Sequence, residues 1–197
     1  MTSMNLKLVF VACVLIVAAG CQNRKVQRVD SNERIDLSGR WNDTDSKMTA
    51  SAMIEQILTA PWLTNHFEDN KGEKPVVVVG MISNKSHEHI TSETFCKDLE
   101  KSFITSQRVR LSQGGEMREE IRAERADQQN FSSESTMKKW GLEVGADYML
   151  QGVINSIVDE YKREKVVEYQ IDLQLTNMET NEVVWIGDKK IKKYIRD

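Results

Sequence analysis

The sequence predicts a single mixed α/β (α+β) domain, with a mixed β-sheet that ends in an antiparallel three-stranded meander and is flanked by helices. Three patterns carry that expectation. Val76, Val77, Val78 and Val79 run on into Gly80, Met81 and Ile82, a continuous β-branched stretch of the kind that forms a strand buried on both faces. Phe95, Leu99 and Phe103 recur at i, i+4 and i+8, which places them on one stripe of a helix. Tyr169, Ile171, Leu173 and Leu175 alternate with polar neighbours, as one face of a strand requires.

The other elements follow in order. Asn42, Asp43, Thr44, Asp45 and Ser46 offer helix caps, and Met53, Ile54, Ile57 and Leu58 then repeat at helical spacing until Pro61 stops the helix. Pro75 opens the valine strand. Thr91 or Ser92 can cap the helix that carries Phe95, and Val109 and Leu111 suggest a short strand before Gly114 and Gly115 break the chain. Between residues 116 and 127 Glu and Arg alternate with few apolar positions, the composition of an exposed helix held by local ion pairs. Met137, Trp140 and Val144 mark a further helix. The closing third holds the three strands of the meander: residues 148–158, the stretch around Tyr169, and a return strand from Val183 through Ile191 and Tyr194, after a turn at residues 178–182. Strand, helix, strand earlier in the chain favours a parallel crossover, hence a mixed sheet.

The amino-terminal end carries an address. Lys7 precedes an apolar stretch over residues 8–19, and Ala18, Ala19 and Gly20 lead into Cys21. The apolar stretch is short for a bilayer span but suits a signal peptide. Small residues before the cut fit a peptidase cleft, and a cysteine just after them can offer its thiol to a diacylglycerol. Cys21 is therefore the expected lipidation site, with residues 1–20 the signal peptide. Stable anchoring takes more than one acyl chain, each buried methylene contributing about 0.8 kcal/mol. Gln22, rather than Asp, follows the cysteine, which leans towards an outer-membrane location facing the periplasm. Residues 22–40 are polar and lack apolar periodicity, so residues 21–40 are expected to be an acylated flexible tether and 41–197 the globular domain. From Cys21 to Trp41 such a tether spans at most roughly 70 Å.

Composition excludes several functions. Loss of Lys7 with the signal takes the formal charge from −3 to −4, unsuited to a general grip on nucleic acid. Cys13 leaves with the signal and Cys21 is acylated, so Cys96 is the one thiol left and no intramolecular disulfide is expected. Cys96 sits in the apolar stripe of Phe95 and Leu99, the place of a small buried hydrophobe rather than a nucleophile. His87 and His89 flank Glu88 without a third ligand of metal-site spacing, so no metal or cofactor is assigned. Gly114 and Gly115 lack the lysine of a phosphate loop and serve as a turn. No nucleophile–base order or isolated carboxylate pair supports catalysis. Of the four tryptophans, Trp41 and Trp62 lie outside the strongest periodic segments and are the candidate partner-interface anchors.

Four blocks carry a family resemblance: RWNDTDS (40–46), NKSHEHI (84–90), GADYMLQG (145–152) and the hairpin over 169–185. Together they resemble the LpoB family, outer-membrane lipoproteins that activate bifunctional, class A penicillin-binding proteins. The resemblance implies a non-catalytic domain that binds a peptidoglycan synthase and raises its output. It also implies that the motifs serve as scaffold, with Gly145 and Gly152 in turn or close-packing roles and Asn84 in a loop. The tether lacks the Pro-rich spacer of the best-known members. GADYMLQG alone is also similar to segments of curli-secretion lipoproteins and TolB-like proteins, which makes an envelope transport or assembly component the alternative. Residues 153–175 would have to supply its membrane strands, and Asp159, Glu160, Lys162, Arg163, Glu164 and Lys165 make a poor membrane face.

Overall fold

Five strands form one sheet in the order β2-β1-β3-β4-β5, in a computed structural model that describes residues 26–30, 33–131 and 143–196. Two compact units divide the chain, Met1–Glu33 and Arg34–Asp197. Of the first, the described residues form neither helix nor strand, and the Glu33 amide donates to the Asp30 carbonyl at 3.0 Å. The second runs α1 (Asp43–Thr59), α2 (Pro61–Asp69), β1 (Val76–Asn84), α3 (Ser92–Ser106), β2 (Arg110–Leu111), α4 (Gly115–Phe131), β3 (Tyr148–Tyr161), β4 (Glu164–Asn177) and β5 (Val183–Arg196). β1 pairs in parallel with β2 and β3, whereas β3, β4 and β5 form the expected antiparallel meander. The mixed sheet is thus as the sequence predicts. Cys21 with its signal segment, and Met137 and Trp140 of the expected further helix, lie outside the described residues. Val144 is exposed and in neither helix nor strand.

Asn42 caps α1 in a capping box: its side chain accepts from the Asp45 amide at 3.1 Å, while Asp45 accepts from the Asn42 amide at 3.0 Å. The helix ends at Thr59, before the proline as expected. Pro61 also does something the sequence reading missed. It stands at the first position of α2, where its missing N–H costs nothing and its fixed φ suits a helix.

One core fills the space between α1, α2, α3 and one face of the sheet. Phe95, Leu99 and Phe103 are fully buried on α3, and Val167, Tyr169, Ile171, Leu173 and Leu175 supply the inward row of β4. The valine strand departs from expectation halfway along. Val76, Val77 and Val78 are buried, but the register slips between Val79 and Ile82, and Met81 is 74% exposed. The reason is architectural: the buried faces of the helices share a single core, so the second face of the sheet stays open past the bulge.

The domain also begins earlier than Trp41. Asp36 Oδ1 accepts from the Asn42 side chain at 2.6 Å and from Lys193 Nζ at 3.0 Å, and Lys193 Nζ also donates to the Arg40 carbonyl at 2.9 Å. Gly39, at φ +67°, lies so close to Ile195 that a Cβ there would fall 2.4 Å from its Cγ1. Residues 36–40, expected as tether, are therefore a strap fixed to β5. Their polarity hid this, because the strap is held by hydrogen bonds and one glycine contact rather than by apolar periodicity.

Gly152 is where the backbones of β3 and β4 come closest to excluding a side chain. A Cβ would fall 2.3 Å from the Asp172 carbonyl oxygen and 2.4 Å from Leu173 Cδ2, which confirms the close-packing role. Gly152→Ala should destabilise the domain by about 1–3 kcal/mol through overpacking, read as a lower midpoint in urea. An unchanged midpoint would mean that the sheet opens freely there.

Candidate partner-binding surface

Strand parity sorts the sheet into two faces. On β3 and β4, Leu150, Ile154, Ile171 and Leu173 turn inward, so Gln151, Val153, Ile157, Glu168, Asp172 and Gln174 turn outward. On β5, Ile186, Asp188, Lys192 and Tyr194 share the outward face. Ile157, Ile186 and Tyr194 are 64%, 71% and 60% exposed. Met81, pushed out by the β1 bulge, joins Ser83, Gln151, Asp172, Gln174 and Ile186 around a shallow trough of about 360 Å³. Ion pairs occupy the far end: Lys192 bridges to Glu168 at 3.1 Å and Arg196 to Glu164 at 3.9 Å. This face is polar with isolated apolar side chains, the composition of a docking surface that also tolerates water.

The two tryptophan candidates part company. Trp62 is 4% exposed, its Nε1 donates to the Ile57 carbonyl at 2.8 Å, and its ring meets Tyr148 edge to face at 4.9 Å. It is a core plug with almost no surface to offer a partner, which corrects its assignment as an interface anchor. The cause is α2: the helix opened by Pro61 turns Trp62 inward beside Leu63 and His66. Trp41 is half-buried and packs edge to face on Tyr169 and Phe95, with centroids at 5.5 and 6.4 Å. Its amide donates to Glu88 Oε2 at 3.1 Å. Burial first, then the Glu88 carboxylate, pushes the Tyr169 phenol above its usual value.

The NKSHEHI block is scaffold. Asn84 accepts from the Ser86 amide at 2.9 Å and hydroxyl at 2.7 Å, and donates to the Glu88 carbonyl at 2.8 Å. The His87 amide donates to Ser156 Oγ at 2.9 Å and Nδ1 lies 2.8 Å from the same oxygen, and both His87 and His89 are exposed. His66 is buried, with Nδ1 3.1 Å from the Tyr148 hydroxyl. Among the described residues no three His, Cys, Asp or Glu side chains converge as a metal site would need. Cys96 is half-buried, and burial followed by Glu100 and Glu93 pushes its thiol up to about 11, the state of an unreactive thiol.

The exposed helix of alternating charge is present as α4, and none of its described residues is buried. Arg122 reaches Glu119 at 2.6 Å and holds Glu143 through two bonds of 2.9 Å. Those bonds raise the Arg122 pKa and lower that of Glu143.

One feature escaped the sequence reading altogether. Lys193 is 10% exposed and lies 2.6 Å from Asp45, itself 4% exposed. Burial alone would lower the Lys193 pKa, but the hydrogen bonds that its ammonium donates to Asp45 and then Asp36 outweigh it and hold the value above that of a free lysine. Parity was the available signal. Ile191 and Ile195 are the inward row of the strand, and Lys193 stands between them.

The fold leaves one face of the sheet open, with no metal cluster among the described residues. A sequence model described as "Peptidoglycan-synthase activator LpoB" matches residues 45–191, so the chain belongs to the LpoB family, a regulatory rather than a catalytic one. The chain is similar to the LpoB C-terminal domain from Escherichia coli (15% identity, 78% of this chain and 99% of that chain covered, TM-score 0.44). A second is the same domain from Salmonella enterica (14% identity, 75% and 98%, TM-score 0.43). A third is lipoprotein GNA1162 from Neisseria meningitidis (11% identity, 62% and 84%, TM-score 0.39). No curated protein sequence matches the chain.

Proposed function

We propose that this protein is an outer-membrane lipoprotein, acylated at Cys21 and facing the periplasm, that binds a bifunctional, class A penicillin-binding protein and raises its peptidoglycan synthesis. The observation that carries the reading is the family match over residues 45–191. Activation of this kind needs no catalytic group on the activator. It requires only that the domain bind the active synthase conformation better than the inactive one, and a preference of about 1.4 kcal/mol shifts that equilibrium tenfold.

The strap shortens the reach of the anchor. With the second unit starting at Arg34, the residues between Cys21 and that unit can span at most about 45 Å even if fully extended. The domain then works close to the membrane that holds it, on a synthase that approaches that membrane.

The deciding experiment is a synthesis assay with lipid-linked precursor and the cognate bifunctional synthase. A several-fold rise in glycan polymerisation on adding the protein supports the reading, and an unchanged rate removes it. Separately, Cys21→Ser should leave the domain folded and move it from the membrane fraction to the soluble fraction. A variant that still sediments with membranes would show that the acyl chains are not the anchor.

A further inference from the structure

Two carboxylates stand directly opposite each other on the open face. Asp172 and Asp188 are register partners across β4 and β5, a cross-strand placement in which like charges repel. Neither forms an ion pair among the described residues. Asp172 takes only amide donors, Gln170 Nε2 at 2.8 Å and Asn155 Nδ2 at 3.5 Å, and Asp188 is exposed. Cations are at hand and go elsewhere. Lys192 bridges to Glu168, and Lys190, opposite Gln170, pairs with neither aspartate.

Asp172 sits in an apolar frame, with Asp188 its register partner just beyond it. Met81 from the β1 bulge and Ile186 on β5 line the same trough as Asp172 and are 74% and 71% exposed. The side-chain amides of Gln151 and Gln174, also in the trough, make no hydrogen bond among the described residues. The site thus offers unneutralised anionic oxygens, free amide oxygens, and two unburied apolar walls. An arginine answers all three: its planar fork bridges carboxylates, its remaining N–H groups reach amide oxygens, and its stem packs on apolar side chains.

We propose that this trough is the docking point for the synthase, and that it receives an arginine flanked by apolar side chains on the synthase surface. The proposal rests on the function given above and adds to it the face and the chemistry of recognition. Seating such a group would bring a countercharge to two carboxylates that have no ion-pair partner among the described residues.

The test uses the full chain in detergent with the cognate synthase. Asp172→Asn with Asp188→Asn keeps shape and removes charge. The double variant should bind the synthase at least tenfold more weakly, with a thermal midpoint equal to or above that of the parent. Undiminished affinity overturns the docking point. A photo-crosslinking residue at position 186 gives an independent reading: an adduct with the synthase supports the proposal, while an adduct with a second copy of this chain, or none, overturns it. If the parent protein neither binds nor stimulates the synthase, the functional reading falls and takes the docking point with it. Stimulation by the parent with an unaffected double variant removes the docking point alone.

Discussion

Lys193→Ala is expected to cost about 3–5 kcal/mol of stability, because it strands the buried Asp45 carboxylate and leaves Asp36 and the Arg40 carbonyl without their donor. The substitution should also free the strap over residues 36–40 from β5. Urea unfolding measures the first effect and amide exchange in the strap the second. A loss below about 1 kcal/mol would mean that desolvation of the pair cancels its attraction. The pH dependence has a definite sign at each end. The Lys193 pKa is raised on folding, so its contribution is complete below the unfolded lysine value of about 10.4 and is lost as pH rises through the higher folded value. Asp36 is held below its usual value, by Lys193 first and the Asn42 amide second. Its contribution is present above the unfolded value of about 3.9 and is lost as pH falls through the lower folded one. The strap should therefore hold across the neutral range and loosen at both extremes.

Trp62→Ala is expected to cost about 3–5 kcal/mol, as a large side chain leaves a core packed on Tyr148 and its hydrogen bond to Ile57 is lost. The milder Trp62→Phe keeps most of the volume and should remain folded. Its affinity for the synthase should equal that of the parent, since only 4% of Trp62 meets solvent. Near-parental stability combined with tenfold weaker binding would return Trp62 to the interface. Trp41→Ala contrasts in principle, because that ring is half-buried and closes the core over Tyr169 and Phe95.

The elements most legible in the sequence are those whose burial is one-sided and regular. Phe95, Leu99 and Phe103, and the Tyr169 to Leu175 row, announce their own faces because a helix or strand packed on one side must repeat at its own period. The hairpin between β4 and β5 was legible for a related reason. Asn177 accepts from the amides of Glu179 and Thr180, and Asn181 takes a left-handed φ of 61°, both within reach of local turn chemistry. Less legible were features set by distant partners. Nothing near Pro61 in sequence says that it opens a helix whose second residue, Trp62, will meet Tyr148. The four valines read as a strand covered twice, which holds for Val76 to Val78, and only the packing of α1, α2 and α3 on one face shows why Met81 emerges past the bulge. The candidate surface was the least legible of all, since an open sheet face is defined by what fails to cover it.

The sequence by itself determined the local identities of this protein: the period of the helices and strands that pack on one core, the mixed sheet, and the motif blocks of its family. These depend on neighbours within a few residues, where periodicity, capping and turn geometry act. Tertiary structure alone decided which tryptophan is core, that residues 36–40 are fixed to β5, that Lys193 pairs with the buried Asp45, and that Asp172 and Asp188 are register partners on the open face. Each of those depends on strand register and on which face the helices cover, and register couples residues far apart in the chain through packing rather than through any local pattern.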